Sequence, residues 1–338
     1  MNPFEVIQPK SVEEACKLLA ADPINNVPIG GGTDLISLIK DGIQGPQKLV
    51  SLGSIRELSE ICFGPTIRIG AATTLERISN NTELANIYPS FIKAISEIGT
   101  QQIRNVATLG GNLCQRPRCL YFREKDSNCL KQGGKQCNAI QGYNRNLAIF
   151  DGGPAYVVHN SDSALPLIAA AAKIELTGER ESRLIPLEDF FVNPSENLDR
   201  ETVLGPGEIA SAVVIPRPLP GTKTMFFKIR PRNGEDFALV NLAVEAQIST
   251  GKIETIKIVA GNVAPRPYRL RDIENYLLGS PLKKVETSHV GNIIFKTARP
   301  LSSNGYKGIL LTNLIEQAIE ILKNGKNITK EHNYDNRI

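Results

Sequence analysis

The sequence predicts an α+β fold, because short β-like runs and stretches of helical periodicity are interspersed without a regular βαβ rhythm. The β-like runs lie at 48–54, 67–73 and 174–177, and the helical periodicity lies at 11–22, 87–98, 163–172 and 312–323. Residues 216–221, Pro-Arg-Pro-Leu-Pro-Gly, predict a linker, since proline fixes φ and removes a backbone donor. Three further runs, at 222–228, 236–248 and 251–260, predict the strands of a smaller α/β domain.

Residues 11–22 carry the local signals of a capped helix. Ser11 is a suitable N-cap, and Glu14 stands three residues later, as in a capping box. Apolar residues recur at i, i+3, i+4 and i+7 from position 12, which predicts one buried face. Cys16 lies on that face and is therefore predicted to be a small core residue.

Length and composition indicate a globular protein of two or three domains. The chain has 338 residues, of which 41% are hydrophobic and 22% are charged. A formal net charge of +4 and an aromatic content of 6% argue against a nucleic-acid partner. No run approaches the length of a membrane span, and the N-terminal residues show no signal-peptide pattern. We therefore expect a cytoplasmic protein or, alternatively, a periplasmic one exported together with a partner subunit.

The first candidate site is a glycine-rich turn. Residues 26–36 read Asn-Val-Pro-Ile-Gly-Gly-Gly-Thr-Asp-Leu-Ile, an extended approach followed by three glycines and an apolar run. Such a turn brings backbone N–H groups close to a ligand, and a following helix adds its positive end. The pattern is neither GxGxxG nor a P-loop, so a plain tight turn between strand and helix stays open as the alternative.

A second glycine turn lies about eighty residues further on. Gly110 and Gly111 are flanked there by Thr108 and Asn112, which carry a hydroxyl and an amide. Backbone N–H groups and short polar side chains suit phosphate oxygens. The two turns are therefore predicted to grip one diphosphate from both sides.

The cysteines are unevenly placed. Four of the six fall within 24 residues, at Cys114, Cys119, Cys129 and Cys137. In a chain without an export pattern, such a group indicates a metal or iron–sulfur site first and disulfides second. The absence of a Cys-x-x-Cys pair disfavours a zinc ribbon or a ferredoxin-type site. Basic residues that would offset the charge of a thiolate-ligated cluster are Arg116, Arg118, Arg123, Lys125, Lys131 and Lys135. Free thiols on a basic surface loop remain the alternative.

The two glycine turns are followed by several further motifs along the chain. The motifs are 28–35 (Pro-Ile-Gly-Gly-Gly-Thr-Asp-Leu), 69–75 (Ile-Gly-Ala-Ala-Thr-Thr-Leu), 102–112 (Gln-Ile-Arg-Asn-Val-Ala-Thr-Leu-Gly-Gly-Asn), Ser161-Asp162, 228–237, 261–267 (Gly-Asn-Val-Ala-Pro-Arg-Pro), Pro300-Leu301 and Tyr306-Lys307. In this order they resemble the FAD-binding subunit of the xanthine dehydrogenase, aldehyde oxidase and carbon monoxide dehydrogenase family of molybdenum hydroxylases.

The resemblance covers about residues 1–325 and implies a domain organisation. Residues 1–220 would form an FAD-binding domain of the vanillyl-alcohol-oxidase-like (PCMH) type, in two parts, 1–55 and 56–220, with an inserted cysteine loop at 114–155. Residues 222–326 would form a C-terminal domain like that of the carbon monoxide dehydrogenase flavoprotein. Residues 327–338 would be a flexible tail.

The resemblance also implies a set of FAD-binding residues. The first turn would cradle the diphosphate with Gly30, Gly31, Gly32, Thr33, Asp34 and Leu35. The second turn would hold its other side with Thr108, Gly111 and Asn112. Three separate residues complete the set: Asp162 near the sugar-alcohol part of FAD, Lys228 beside the isoalloxazine ring, and Leu204 packing near the flavin.

The insertion resembles that of a subgroup whose flavin subunit also carries a [4Fe–4S] cluster, among them aldehyde oxidoreductases and 4-hydroxybenzoyl-CoA reductase. The resemblance implies Cys119, Cys129 and Cys137 as three ligands. Related chains carry a further cysteine near the position of Asn146 or of Ala155, and neither is a cysteine here. The spare thiol is that of Cys114. A non-cysteine fourth ligand, a three-iron cluster and an empty loop are the alternatives.

The function implied is that of an FAD-dependent oxidoreductase subunit of the xanthine or aldehyde dehydrogenase type. A large molybdopterin subunit and a small [2Fe–2S] subunit would supply electrons, which FAD passes to an external acceptor. No residue of this chain would then act on the reducing substrate. A stand-alone FAD oxidoreductase is the alternative, although no candidate catalytic pair is visible. An iron–sulfur scaffold with a decayed flavin site is disfavoured by the intact glycine motifs.

Overall fold

The first sheet of the chain is small and entirely parallel. The computed structural model describes residues 2–232 and 234–325, so the predicted tail at 327–338 lies outside the described residues. Strands β1 (Glu5–Ile7), β2 (Asn26–Ile29) and β3 (Lys48–Ser51) pair in the order β1-β3-β2, and helices α1 (Val12–Ala21) and α2 (Leu35–Lys40) connect them. The Ser11 hydroxyl accepts from the Glu14 N–H at 3.1 Å, which confirms the predicted cap of α1.

The second sheet is antiparallel and has five strands. These are β4 (Ile61–Phe63), β5 (Thr66–Gly70), β6 (Lys173–Thr177), β7 (Ser182–Pro186) and β8 (Ile209–Pro216), in the order β4-β5-β8-β6-β7. Seven short helices lie between β5 and β6: α3 (Leu75–Ser79), α4 (Thr82–Ile87), α5 (Pro89–Ser96), α6 (Gln101–Val106), α7 (Leu109–Leu113), α8 (Leu120–Arg123) and α9 (Ala164–Ala169). The inner face of the sheet shares one apolar core with α3, α5 and α9.

The third sheet, also antiparallel, follows the predicted linker. Strands β9 (Lys223–Ile229), β10 (Val240–Ser249), β11 (Lys252–Gly261) and β12 (Tyr268–Arg269) pair in the order β12-β11-β10-β9. Helices α10 (Arg271–Leu277), α11 (Ser288–Thr297) and α12 (Tyr306–Lys323) follow. Side chains alternate along β10, so Leu242 and Val244 join the core under these helices, whereas Ala243 joins the core of the second sheet. The third sheet therefore packs on both faces.

The α+β class is confirmed, but the sequence patterns missed the central strand of the second sheet. Strand β8 reads Ile-Ala-Ser-Ala-Val-Val-Ile-Pro and is buried almost throughout. A strand buried on both faces has no polar–apolar alternation, so periodicity does not separate it from a helix. Within the described residues, no helix combines the length and the apolar character that crossing a membrane requires.

One carboxyl lies where the third sheet packs against the rest of the chain. Glu245 of β10 stands opposite Lys257 of β11 and Thr224 of β9. Burial raises the pKa of Glu245 to about 7, and the charge of Lys257 only partly opposes that shift. Its Oε2 atom is buried without a hydrogen-bond partner among the described residues. Ionising this carboxyl therefore costs stability.

Replacing Glu245 with Gln is expected to stabilise the protein above pH 7. In the wild type, the folded state holds the proton up to about pH 7 whereas the unfolded state releases it near 4.5, so stability falls as the pH rises through that window. The E245Q advantage should grow from none at pH 4.5 to about 1–3 kcal/mol above pH 7. Urea midpoints measured across this range check it, with the exposed Glu254→Gln as the control. A difference that does not change with pH contradicts the assignment.

Candidate functional site

A cleft lies between the loop after β2, helices α6 and α7, and the end of β9. Its cavity volume is about 270 Å³, near the lower end of the usual range of ligand pockets. The predicted site residues that line it are Thr33, Asp34, Gly111, Asn112, Asp162 and Lys228. Residues from four distant parts of the chain thus meet at one place.

The two glycine turns lie directly against each other. A Cβ atom on Gly31 would stand 1.7 Å from the Val106 carbonyl oxygen, and one on Gly30 would stand 2.5 Å from the Thr108 hydroxyl oxygen. Gly32 has a φ of +72°, which L side chains adopt only with strain. Glycine is therefore required here for the close approach of two backbones as well as for the turn itself.

The two turns differ in what they offer a ligand. In the first turn, no N–H group of residues 31–35 donates a hydrogen bond to an acceptor in the described parts of the chain. In the second, Gly110 donates to the Ala71 carbonyl at 2.7 Å and Gly111 donates to the Thr108 hydroxyl at 3.2 Å. The expectation of backbone donors on both sides is thus met only by the first turn, which has the free N–H groups that an anion binds.

The second turn offers a side chain instead. The Oδ1 atom of Asn112 accepts from the Ser161 and Ser163 hydroxyls, each at 2.7 Å, which leaves its Nδ2 hydrogens for a ligand in the cleft. The His159 ring holds this arrangement, since Nδ1 accepts from the Ser161 N–H and Nε2 lies 3.1 Å from the Leu113 carbonyl. Burial lowers the pKa of His159 to about 4, so the ring is neutral and is not an acid or base for the cleft.

A buried ion pair forms the far wall of the cleft. Lys228 Nζ donates to Asp162 Oδ2 and to the Glu97 carbonyl, both at 2.7 Å. The other oxygen of Asp162 accepts from Asn241 Nδ2 at 2.6 Å. Burial raises the pKa of Asp162, and the Lys228 ammonium opposes that shift. Asp162 and Lys228 are thus fixed in place by partners of the protein itself.

Two polar residues of this wall were not identified from the sequence. Asn160 lines the cleft, and its Oδ1 atom is buried without a partner among the described residues. A buried acceptor of this kind indicates an absent donor. Asn241 is a lone amide in the apolar run of β10, and that break in an apolar strand was the available signal.

Other predicted residues take different places. Leu204 is partly buried against the core of the second sheet and is not among the residues that line the cleft. Leu35 is the first residue of α2, and Thr108 caps α7 through its hydroxyl. The glycines at 30–32 form the turn behind Thr33 and Asp34.

Two of the loop cysteines share one local geometry. Cys119 precedes α8 and Cys129 precedes a 3-10 turn at Leu130–Gln132, both with extended φ and ψ. Neither side chain makes a capping hydrogen bond to the turn that follows it. Burial raises the pKa of Cys119 to about 11 and also raises that of Cys129.

The third and fourth predicted ligands lie in different surroundings. Cys137 packs against the same apolar cluster as Cys119 and Cys129. Cys114 packs at the edge of the core of the second sheet, where burial raises its pKa to about 12. In residues 2–232 and 234–325, no three His, Cys, Asp or Glu side chains converge closely enough to hold a single metal ion. The structure brings three cysteines into one cluster and leaves Cys114 outside it.

Comparison with known proteins decides the family. The model of the FAD binding domain in molybdopterin dehydrogenase matches residues 2–218, and that of the CO dehydrogenase flavoprotein C-terminal domain matches residues 225–322. The chain belongs to this family. It is an FAD-binding medium subunit of the molybdenum hydroxylases, and thus an oxidoreductase subunit.

Relatives of known activity and solved structures agree with this assignment. The aldehyde oxidoreductase FAD-binding subunit PaoB of Escherichia coli is 31% identical over 83% of this chain and 86% of its own. The carbon monoxide dehydrogenase medium chain of Afipia carboxidovorans is 27% identical over 83% and 82%. In fold, a chain of carbon monoxide dehydrogenase from Oligotropha carboxidovorans superposes with a TM-score of 0.74 at 23% identity, covering 94% of this chain and 97% of that one.

The residues of the cleft fit FAD in this subunit. Free N–H groups at 31–35 and the Asn112 amide suit phosphate oxygens. The unpartnered Oδ1 of Asn160 suits a hydroxyl or ring N–H donor. Ile103 and Phe237 supply apolar surface at the mouth, as most cofactor pockets do.

Replacing Gly31 with Ala is expected to weaken FAD binding about tenfold, because overpacking against the Val106 carbonyl separates the two turns. FAD retained per chain after gel filtration, together with the melting temperature, measures the effect. The matched control is Gly53→Ala, since nothing lies within 4 Å of a Cβ atom there. A G31A chain that retains FAD like the wild type would show that the contact between the turns is not needed.

Proposed function

We propose that this subunit relays electrons through FAD and does not itself act on the reducing substrate. A large molybdopterin subunit and a small [2Fe–2S] subunit are the proposed donors, in a heterotrimer or its dimer, and an external acceptor takes the electrons. The medium-chain and medium-subunit names of several relatives support such an assembly. The cytoplasm is the proposed compartment, and co-export with a partner to the periplasm is the alternative.

The proposed domains are 1–220 for FAD, in two parts (1–55 and 56–220) with the cysteine loop 114–155, and 222–326 for the C-terminal domain. The two family models meet between residues 218 and 225, which supports this boundary. The third sheet nevertheless contributes Phe226, Ala243 and Val259 to the core of the second. The two domains are thus expected to unfold together.

In the proposed site, the first turn holds the diphosphate through the free N–H groups of residues 31–35. Asn112 holds it from the other side, and the proposed role of Thr108 is to fix the turn that carries Asn112. Asp162 is proposed to lie near the sugar-alcohol chain. Leu204 is proposed to lie near the flavin, behind the residues that line the cleft, because its side chain packs against the core of the second sheet.

Lys228 is the proposed electrostatic partner of the flavin ring. Two of its three N–H bonds go to Asp162 and to the Glu97 carbonyl, so one remains for a ligand. Its ammonium is nearly fully buried, where a charge acts with less screening than at the surface. When bound, flavin links one-electron centres to a two-electron acceptor. The protein contributes the binding site, the orientation and this positive charge.

We favour a relay over a stand-alone oxidoreductase because the carboxylates of Asp34 and Asp162 are already bonded to other groups of the protein. Asp34 accepts from three groups of the cysteine loop, and Asp162 accepts from Lys228 and Asn241. A general base must be free to take a proton from substrate. Neither Asp34 nor Asp162 is free. Of the other two carboxylates that line the cleft, Asp236 pairs with Arg232 and Glu235 is exposed to solvent. His159 bonds to backbone groups on both nitrogens.

Purification through a tag on this chain from its native source tests the relay. We expect two further chains, with molybdenum and iron present alongside FAD. FAD on the isolated chain should be reduced by dithionite but not by benzaldehyde, which serves as a small-aldehyde probe. An FAD protein that purifies alone, lacks molybdenum and is reduced by benzaldehyde would establish the stand-alone alternative.

We also propose that the cysteine loop binds an iron–sulfur cluster of the [4Fe–4S] type. The matching backbone geometry of Cys119 and Cys129, each at the start of a short helical turn, and the apolar cluster that they share with Cys137 support it. In the described residues, no three possible ligands lie close enough together to bind a single metal ion. A multi-iron cluster keeps its ligands further apart than one ion does, so this spacing is consistent with a cluster. Cys114 is the proposed fourth ligand, which requires residues 114–119 to rearrange on binding.

Iron and acid-labile sulfide, assayed in chain purified without oxygen, test the cluster. We expect equal amounts of both in the wild type and their loss in Cys129→Ser, because a cluster needs each thiolate. The exposed Cys62→Ser is the matched control and should keep both. Loss of iron and sulfide in Cys114→Ser would identify Cys114 as the fourth ligand. Full retention of both would show that the fourth ligand is a non-cysteine group. Iron without sulfide, or neither in the wild type, rejects the proposal.

A further inference from the structure

The carboxylate of Asp34 is bound by the cysteine loop. Its Oδ1 atom accepts from Arg123 at 2.7 Å and from Arg118 at 3.0 Å, and its Oδ2 atom accepts from the Arg116 backbone N–H at 2.8 Å. The side chain of Asp34 is 14% exposed and that of Arg123 is 15% exposed. Both oxygens are therefore engaged away from any ligand, although Asp34 lines the cleft.

This arrangement explains an unusual feature of α2. Asp34 occupies the N-cap position, where an aspartate normally accepts from the N–H groups of the first turn. Here it makes no such side-chain hydrogen bond. The cysteine loop has taken the carboxylate that would otherwise cap the helix. The carboxylate is therefore held toward the cysteine loop and not over the first turn of α2.

A second buried carboxylate ties the same loop to another segment. Glu201 pairs with Arg116 and, at 3.1 Å, with Lys131, whose side chain is 1% exposed. Lys131 Nζ also donates to the Leu198 carbonyl at 2.5 Å. Phe122 lies under the guanidinium groups of Arg116 and Arg123 and fixes both. The loop is therefore held at both ends by buried charge pairs.

Most basic residues of the loop pair with carboxylates of the protein itself. Four of the six are engaged by Asp34 and Glu201, namely Arg116, Arg118, Arg123 and Lys131. The other two, Lys125 and Lys135, are exposed. These pairs fasten the loop to the turn that lines the cleft and to Glu201. Removing one partner of a buried pair strands the other charge, so these links are stiff.

We propose that Asp34 is a positioning residue for FAD and that residues 114–137 act as a clamp on the first glycine turn. The clamp draws the carboxylate away from the first turn of α2 and holds the glycine turn in the shape that receives the diphosphate. This proposal rests on the proposed binding of FAD in the cleft. It implies that FAD and the cysteine loop are energetically coupled, in both directions.

Asp34→Asn and Arg123→Gln test the clamp in the full chain. Each should weaken FAD binding about tenfold, a usual size for a coupling between sites. Because both remove the same link, the double variant should bind FAD no more weakly than the weaker single variant. The matched controls are Glu175→Gln and Arg68→Gln, which break a comparable carboxylate–arginine pair outside the cleft. They should retain wild-type affinity.

Hydrogen exchange provides a readout that a merely structural role would not change. In the wild type, FAD should slow amide exchange at residues 30–35 and also at 114–137. In Asp34→Asn, FAD at saturating concentration should still slow exchange at 30–35 but no longer at 114–137. FAD affinity of D34N within twofold of wild type, or unchanged protection of the loop, overturns the clamp. A wild type that binds no FAD overturns the proposed function itself.

Discussion

The close approach of two backbones, Gly31 to the carbonyl of Val106, is the constraint on which the cleft depends. It brings a turn of the parallel sheet against a turn of the helical segment that covers the antiparallel sheet. Neither turn would form a cleft alone, because each needs the other as its opposite wall. A side chain at this contact is excluded by its distance to backbone atoms, which have no rotamer by which to yield.

Around this contact, most polar groups are hydrogen-bonded to other groups of the protein, and a few are free to bind a ligand. The second turn satisfies its N–H groups internally, and Asp162, Lys228 and Asn241 bind one another. In the described parts of the chain, the groups left over in the cleft include the N–H groups of residues 31–35, the Asn112 amide, the Asn160 oxygen and the third N–H of Lys228. Pre-organised donors of this kind bind without first being released from protein partners. The family assignment to FAD-binding subunits agrees with this selection of free groups.

The inserted cysteine loop connects the proposed iron–sulfur site with the FAD-binding turn. Its cysteines form an apolar cluster with Leu38, which lies on α2, and its arginines hold the carboxylate at the start of the same helix. Whatever the thiols bind is therefore connected to the FAD turn by a short, buried and charged path. Stiff packing of this kind transmits a small displacement rather than absorbing it.

The sequence by itself determined the family, the α+β class and the two turns, because glycine spacing and motif order are local features that survive without coordinates. It also determined the capped helix at 11–22, since a cap is decided within four residues. Tertiary structure alone decided which side chains face the cleft. Leu204 packs against the core, Asn160 lines the cleft, Asn241 bonds to Asp162 behind it, and β8 lies at the centre of its sheet. The partners of Asp34 lie more than eighty residues away in the chain, and no local pattern encodes a contact between residues so far apart.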